Sequence, residues 1–203
     1  MAPSRPSTLP LRLGVALLAI AACDSTGTDP SAPEPFVSLT PGQSWTYAFA
    51  DPRFGGTLRW EVTARVGDTV WVARQWAGSH AGDIVLLEDR TGLDLLASAS
   101  PGGPGAPGAF VRFTPGAAWT HHDPWECDHG ARFVAVAEAE PVTTPAGTFE
   151  GTVRVERRTE FPCTDAGTSV EWWARGVGLV RWEEMNFWAG GPVVVHLTET
   201  TAP

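Results

Sequence analysis

Residues 57–65 read TLRWEVTAR, a stretch in which polar and apolar side chains alternate from end to end. Because successive side chains of a β-strand point to opposite faces, the alternation sorts them into two sets. The apolar set is Leu58, Trp60, Val62 and Ala64. The polar set is Arg59, Glu61, Thr63 and Arg65. The stretch therefore predicts a strand with one face in the core and the other in water.

Short stretches of the same kind recur from Phe36 onward, separated by clusters of Gly, Pro and Asp. Trp45, Tyr47 and Phe49 alternate in this way, and residues 86–96 fit either two strands or one short helix. Further predicted strands cover 69–76, 83–88, 93–98, 109–113, 131–138, 149–158, 170–175, 177–184 and 193–200. So many short strands predict an all-β domain, folded as a curved antiparallel meander that forms a half-open barrel or a two-sheet sandwich.

The chain holds ten Trp residues, and most of them fall on the apolar phase of a predicted strand. Each Trp buries a large area, so the simplest interpretation is that these residues form the core. The alternative is that a minority of them line a cavity or groove. An open meander would then have a concave face lined with Trp.

The N-terminal residues predict export. Residues 1–12 carry two Arg and no acidic residue, and residues 13–22 read LGVALLAIAA. This apolar run is too short to span a bilayer but suits the apolar region of a signal peptide. We therefore interpret residues 1–22 as a signal peptide and residues 36–203 as a single domain.

The signal peptide ends in Ile20-Ala21-Ala22-Cys23, which closely resembles the lipobox of bacterial lipoproteins. The resemblance implies that a signal peptidase cleaves before Cys23 and that the Cys23 sulfur carries a diacylglycerol. Two or three acyl chains, at about 0.8 kcal/mol per buried CH₂ group, would hold the protein on a membrane. Residues 23–35 would form a lipidated flexible tether, because 24–35 read DSTGTDPSAPEP. The alternative is a secreted protein whose cleavage site lies beside a cysteine.

These features predict a protein of the bacterial cell envelope, anchored to a membrane with its domain outside the cytoplasm. Removing residues 1–22 leaves 12 basic and 23 acidic residues and a net charge of −11. A chain this acidic would not neutralise phosphates, so nucleic acid is excluded as a partner.

Residues 121–130 read HHDPWECDHG and concentrate groups that bind metals or catalyse reactions. The two adjacent histidines would point in opposite directions in an extended chain. The metal hypothesis therefore reduces to His122, Asp123 and His129, without the spacing of common zinc sites. The other interpretation is a polar loop held down by neighbouring Trp residues.

Cys127 in this loop is better explained by a disulfide with Cys163, which export would permit. If 131–138 and 149–158 pair as a hairpin around the connection 141–148, the numbers of paired residues sum to 289 or 290. The two cysteines sum to 290 and lie on the apolar, odd-numbered phase. Such a disulfide would remove the thiolate as a metal ligand and stabilise the fold by roughly 3–4 kcal/mol.

Other patterns that carry chemistry are missing from the sequence. It holds no G-x-S-x-G elbow, phosphate-binding loop or dinucleotide fingerprint. Ser79-His80 is a pair of neighbours in a turn, and the acidic residues near positions 83–94 fit a solvated surface. We therefore expect no cofactor.

Two segments resemble a known group of proteins. Residues 142–149 read VTTPAGTF, and residues 171–184 read EWWARGVGLVRWEE. The pair is similar to a signature of uncharacterised bacterial lipoproteins and secreted envelope proteins. The resemblance implies successive strands of an antiparallel meander and carries no known activity.

We therefore expect a lipid-anchored envelope protein without enzymatic activity. It would bind an apolar or amphipathic ligand, or a partner protein, on a concave sheet face, and would contact the membrane through lipidated Cys23. One alternative is a metal-dependent or hydrolytic enzyme that uses residues 121–129. Another is a purely structural tethered module.

Overall fold

The computed structural model describes residues 34–100, 103–105, 107–121, 131–136, 141–159, 169–186 and 191–201. These residues belong to one compact unit. They form fifteen strands and one short 3₁₀ helix, Pro52–Phe54. In this part of the chain, no helix is long and apolar enough to cross a membrane.

The strands are numbered in chain order. They are β1 Ser44–Phe49, β2 Thr57–Val66, β3 Thr69–Trp76, β4 Ser79–Glu88, β5 Gly92–Ser100, β6 Gly103–Gly105, β7 Gly108–Arg112, β8 Ala118–His121, β9 Ala131–Val136, β10 Val142–Thr144, β11 Gly147–Phe149, β12 Val153–Thr159, β13 Ser169–Ala174, β14 Gly178–Asn186 and β15 Gly191–Thr201.

Thirteen of these strands form one antiparallel sheet in the order β6-β5-β4-β3-β2-β1-β15-β14-β13-β12-β9-β8, with β7 also paired to β5. Strands β10 and β11 form a separate hairpin. The prediction of an all-β protein built on a curved antiparallel meander is confirmed.

The sheet curls until its two ends approach each other. Strand β7 pairs with β5 near one end and continues after a short connection into β8 at the other end. Phe110 and Phe113 pack against Trp173 of β13, with ring centroids 6.3 and 5.6 Å apart. Since β13 lies seven positions from β5 in the sheet order, these contacts close the sheet around an interior.

The core lies inside this curl. Val62, Val72, Val155 and Val195 come from four different strands, and none is more than 2% exposed. Burying a side chain of this size stabilises a fold by about 1.5–3 kcal/mol. The core therefore holds the curl together from all sides.

The two ends of the curled sheet differ. At one end, which we call the tether end, lie the turns 67–68 and 175–177, and residues 36–39 cross the interior there as a strap. The backbone N–H of Gly176 donates to the Phe36 carbonyl over 2.8 Å. At the other end, which we call the mouth, lie the 3₁₀ helix and the turn 77–78.

The short helix considered for residues 86–96 is wrong, because these residues end β4 and begin β5. The Asp89 carboxylate accepts hydrogen bonds from the backbone N–H groups of Thr91 and Gly92 over 2.6 and 2.8 Å. An Asp side chain that bonds its own backbone a few residues on stabilises a tight turn. That turn separates the two strands.

The two faces of β2 follow the prediction only as far as Val62. Leu58 and Trp60 face inward and are half-buried, and Val62 is 1% exposed. A β-bulge between Val62 and Ala64 then shifts the register against β3. A bulge turns the following side chains to the other face, so Ala64 is exposed and Arg65 points inward, opposite to the prediction.

The register predicted for the hairpin before and after 141–148 is confirmed. Strand β9 pairs with β12 so that the numbers of paired residues sum to 290, as in Val155 with Ala135. The odd-numbered phase is the buried one, because Phe133, Ala135 and Val155 are 8, 1 and 0% exposed. The connection itself differs from the prediction, since it folds into the β10–β11 hairpin. Strands β6 and β8 were not predicted.

Candidate functional site

Charged side chains point into the interior on the β3 side of the mouth. Residues directly opposite each other on antiparallel strands share a face. Trp60 lies opposite buried Trp45, and Arg74 lies opposite Trp60. Arg74 therefore faces the interior, where its guanidinium lies 3.5 Å from the Ser98 hydroxyl.

The opposite wall of the mouth carries two more ionisable groups. Glu171 lies opposite Val155 on one side and opposite Trp182 on the other. Arg157 lies opposite Phe133, with its guanidinium carbon 5.7 Å from the ring centroid. Together with the β3 side, this defines a mouth cluster of Trp60, Arg74, Arg157, Glu171 and Trp182.

Among the described residues, the inner face is more exposed toward the mouth than toward the tether end. All five members of the mouth cluster are half-buried. Deeper inner-face residues such as Trp45, Val72 and Leu93 are only 3, 2 and 2% exposed. We call this interior the cup; in the described part of the chain, the part of its wall that is not fully buried is aromatic and charged.

Below the mouth cluster, the described inner face is apolar. A cavity of about 20 Å³ remains there, lined by ten residues that include Leu39, Tyr47, Trp60, Leu93 and Trp173. This volume is room for about one water molecule. The cavity lies between the strap residue Leu39 and Trp60 of the mouth cluster.

Glu171 sits in an environment that disfavours its charged form. Burial raises the pKa of its carboxyl group, while a hydrogen bond from Trp173 and the positive charge of Arg157 partly oppose that rise. The Trp173 Nε1–H donates to the Glu171 carboxylate over 2.8 Å. Glu171 is therefore a buried carboxyl group held between an indole N–H and a positive charge.

Tyr47 forms the aromatic floor beneath the mouth cluster. Its ring meets the rings of Trp60 and Trp182 edge to face, with centroids 5.8 and 5.2 Å apart. Its hydroxyl donates to the Leu179 carbonyl over 3.1 Å. Burial, and next the nearby charge of Glu171, raise the pKa of Tyr47. Tyr47 is thus a neutral donor that fixes both Trp rings.

Two indole N–H groups on the inner face lack an acceptor among the described residues. They belong to Trp60 and Trp119. Trp119 is 9% exposed and stacks on Phe133 at a centroid distance of 5.4 Å. A buried donor without a partner costs about 1–3 kcal/mol. These groups would gain from an acceptor inside the cup.

At the tether end, a buried ion pair holds the strap. The Arg65 guanidinium donates to the Glu88 carboxylate over 2.6 Å and to the Leu39 carbonyl over 2.8 Å. The same carboxylate oxygen accepts from the Leu39 N–H over 3.2 Å. Burial raises the pKa of Glu88, and the bonds from Leu39 and Arg65 oppose that rise. We call this arrangement the latch.

The site residues predicted from the sequence fall outside the described part of the chain. This applies to Cys23, to the metal candidates His122, Asp123 and His129, and to Cys127 and Cys163. Within the described residues, no group of three His, Cys, Asp or Glu side chains could hold a metal ion. The lipidation, metal and disulfide hypotheses remain predictions.

The disulfide is expected to appear in a thiol titration of the unfolded, unreduced mature chain. The register of β9 and β12 is observed as far as Ala131 opposite Thr159; the same sum of residue numbers would place Cys127 opposite Cys163. Cysteines on directly opposite positions come within the reach of a disulfide. We expect neither residue to react before reduction and both to react after it. Two free thiols before reduction would reject the pairing.

The charged members of the mouth cluster were missed, although their sequence signal is simple. Arg74 continues the buried phase of Val70 and Val72, and Arg157 continues that of Val153 and Val155. A charged residue on the apolar phase of a strand is costly unless the interior has a use for it. That signal favours a site inside the curled sheet over a site in the 121–130 loop.

Comparisons with known proteins relate part of the chain to one family model and most of it to two solved structures. The model of a family described as DUF3108-like matches residues 132–187. No curated protein matches the chain. A proposed lipoprotein from Parabacteroides distasonis ATCC 8503 is 18% identical, with a TM-score of 0.48 over 82% of this chain and 98% of its own.

The structure of a proposed exported protein with a YmcC-like fold, from Bacteroides fragilis NCTC 9343, resembles this chain over 82% of its length and 98% of the other chain. The two are 17% identical, with a TM-score of 0.50. At this identity the likeness concerns the fold and not the function. The chain described here shares its fold with that Bacteroides fragilis protein.

Proposed function

We propose that this protein is a lipid-anchored binding protein of the cell envelope, which holds an amphipathic, anionic ligand inside its cup. The observation that carries the proposal is the mouth cluster. A barrel that served only as a scaffold would fill its interior with apolar side chains. Here two Arg, one Glu and two Trp instead form a half-exposed inner wall.

The cup suits a ligand with a charged head and an apolar body. Arg guanidinium groups bind carboxylates and phosphates through charge-assisted hydrogen bonds. The Trp60 N–H adds a donor that needs an acceptor, and the Tyr47 and Trp rings offer apolar surface. Binding pockets commonly combine such walls with a few polar groups.

The proposal that a lipid anchors the protein rests on the sequence around Cys23. The resemblance of Ile20-Ala21-Ala22-Cys23 to a lipobox supports lipidation, and the polar residues 24–35 would give the cup reach from the membrane. Native mass spectrometry of the mature protein from its own host tests this part. Acyl chains on Cys23 and a co-purified amphipathic ligand are expected.

Binding of laurate tests the cup directly. The mature chain with Cys23→Ser needs no detergent and can be titrated by calorimetry. We expect laurate to bind and Arg157→Ala to weaken binding about tenfold, because one charge-assisted hydrogen bond is worth roughly that factor. Arg154 lies on the outer face of the same strand. Arg154→Ala should leave the affinity within about twofold.

A second matched pair tests the aromatic wall. Trp182 faces the cup, whereas Trp172 lies on the outer face beneath the Arg181 guanidinium, 4.9 Å from its carbon. We expect Trp182→Ala to weaken laurate binding and Trp172→Ala to leave it unchanged. Equal effects within both pairs, or no binding at all, would contradict the proposal.

A purely structural tethered module is the second candidate. The buried strap side chains and the small size of the cavity beside them, about 20 Å³, favour it. The two functions differ in the laurate titration. A structural module would bind nothing in the cup, and its Arg157 variant would change stability alone.

A further inference from the structure

The strap fills the tether end of the interior without joining the sheet. Phe36, Val37 and Leu39 are only 5, 1 and 4% exposed. None of the strands in the described ranges pairs with them. Phe36 instead stacks on Phe113 with ring centroids 4.4 Å apart. The strap therefore occupies the interior as a separate apolar segment.

In the described part of the chain, its polar attachments are local, and the Arg175 guanidinium lies over the Phe36 ring at 4.7 Å. The backbone of Phe36 is held by the N–H of Gly176, and the backbone of Leu39 is held by the latch residues Arg65 and Glu88. A segment held in this way can leave without opening a strand pair. The main cost of its release is therefore the loss of its apolar burial, which an acyl chain of similar size in the same place would offset.

One part of the latch favours release. The Glu88 side chain is buried, yet its Oε1 atom has no hydrogen-bond partner in the described part of the chain. An unsatisfied buried carboxylate oxygen destabilises the closed arrangement. Departure of the strap would expose Glu88 to water, which satisfies that oxygen.

We propose that the place of the strap is a binding site for a hydrocarbon chain, and that the acyl chain of the ligand displaces residues 36–39 from it. This inference rests on the proposed function and names its ligand class, an acyl-chain amphiphile. The cavity supports a route for the acyl chain from the mouth to the strap, because Trp60 of the mouth cluster and the strap residue Leu39 both line it.

The size of the strap predicts the length of the acyl chain that could replace it. Its three buried side chains, Phe36, Val37 and Leu39, contain about fourteen carbon atoms, and burial per carbon is comparable for a side chain and an acyl chain. The strand from Trp60 to Arg65 spans about 17 Å. An acyl chain that crosses half of a bilayer core spans about 15 Å. A single chain of membrane-lipid length therefore fits between the mouth and the latch.

Hydrogen exchange with mass spectrometry tests the displacement in the mature Cys23→Ser chain. We expect saturating laurate to speed the exchange of a peptide covering residues 34–42 about tenfold or more, because the strap leaves the interior. The exchange of β3 should stay unchanged. Unchanged or slower exchange of 34–42 with laurate bound would overturn the inference and leave the proposed function standing.

Variants of the strap and latch give a second readout. Leu39→Ser should tighten laurate binding about tenfold, because the ligand no longer competes with a well-buried side chain. Glu88→Gln, which weakens the latch while keeping its shape, should act in the same direction if Leu39→Ser does not fold. Val66→Ser is the control, since Val66 is 71% exposed.

The outcomes separate the two proposals. Tighter binding in the strap or latch variants supports displacement, whereas weaker binding in both would mean that the strap forms part of the site and does not compete. If the parent chain and both variants fail to bind laurate, the proposed function falls together with this inference.

Discussion

Replacing Trp173 with alanine is expected to lower the free energy of unfolding by about 4–5 kcal/mol, the upper range for a large buried side chain. Trp173 is 3% exposed and packs against Phe110 and Phe113. Its loss would remove the contacts between β13 and the β7 side that close the curl. It would also leave the Glu171 carboxyl without the indole N–H that donates to it.

A second substitution separates these two effects. Trp173→Phe keeps most of the ring and removes the donor, so we expect a loss of about 1–2 kcal/mol. It should also raise the pKa of Glu171 further, because the hydrogen bond from Trp173 is what opposes the effect of burial most strongly.

Urea unfolding followed by tryptophan fluorescence and circular dichroism measures both variants. Trp76→Ala is the control, because Trp76 is 42% exposed and its ring meets that of Phe49 edge to face with centroids 5.4 Å apart. We expect it to cost about 1 kcal/mol or less. A loss for Trp173→Ala no larger than that of Trp76→Ala would mean that the curl is closed by other contacts.

The fold was accessible from the sequence because period-two alternation reflects a local property of strands. Thr69–Trp76 was predicted with the bounds that the structure has. The sequence could not predict which face of the sheet Ala64 occupies, because the bulge after Val62 depends on how β2 pairs with β3. Alternation within one strand carries no information about an extra residue that only the partner reveals.

The site was harder to predict than the fold. Arg157 and Glu171 lie on strands that the sequence identified, yet their position on the same inner face as Trp60 is set by the closure of the whole sheet. The strap shows the same limit, since nothing in residues 36–39 indicates that they cross the interior and meet Arg65. The loop 121–130 was predicted as a candidate site because its ionisable groups are adjacent in the chain.

Replacing Gly92 with alanine is expected to lower the free energy of unfolding by about 3 kcal/mol or more, because it introduces a steric clash in a packed sheet. A Cβ at Gly92 would overlap the Val111 carbonyl oxygen, a backbone atom that cannot move aside without disturbing the pairing of β5 with β7. The Arg112 Nη1 atom, 3.0 Å away, adds to the crowding.

The consequence for Gly92→Ala reaches beyond local strain, because β7 carries the connection that brings β8 to the other end of the sheet. Opening the β5–β7 pairing should loosen Phe110 and Phe113 from Trp173 and admit an apolar dye such as anilinonaphthalene sulfonate. Gly67→Ala is the matched control: its Cβ would meet open space, and its φ of +58° predicts only backbone strain of about 1 kcal/mol. Equal losses of stability in the two variants, without dye binding by Gly92→Ala, would show that the β5–β7 pairing does not control closure of the cup.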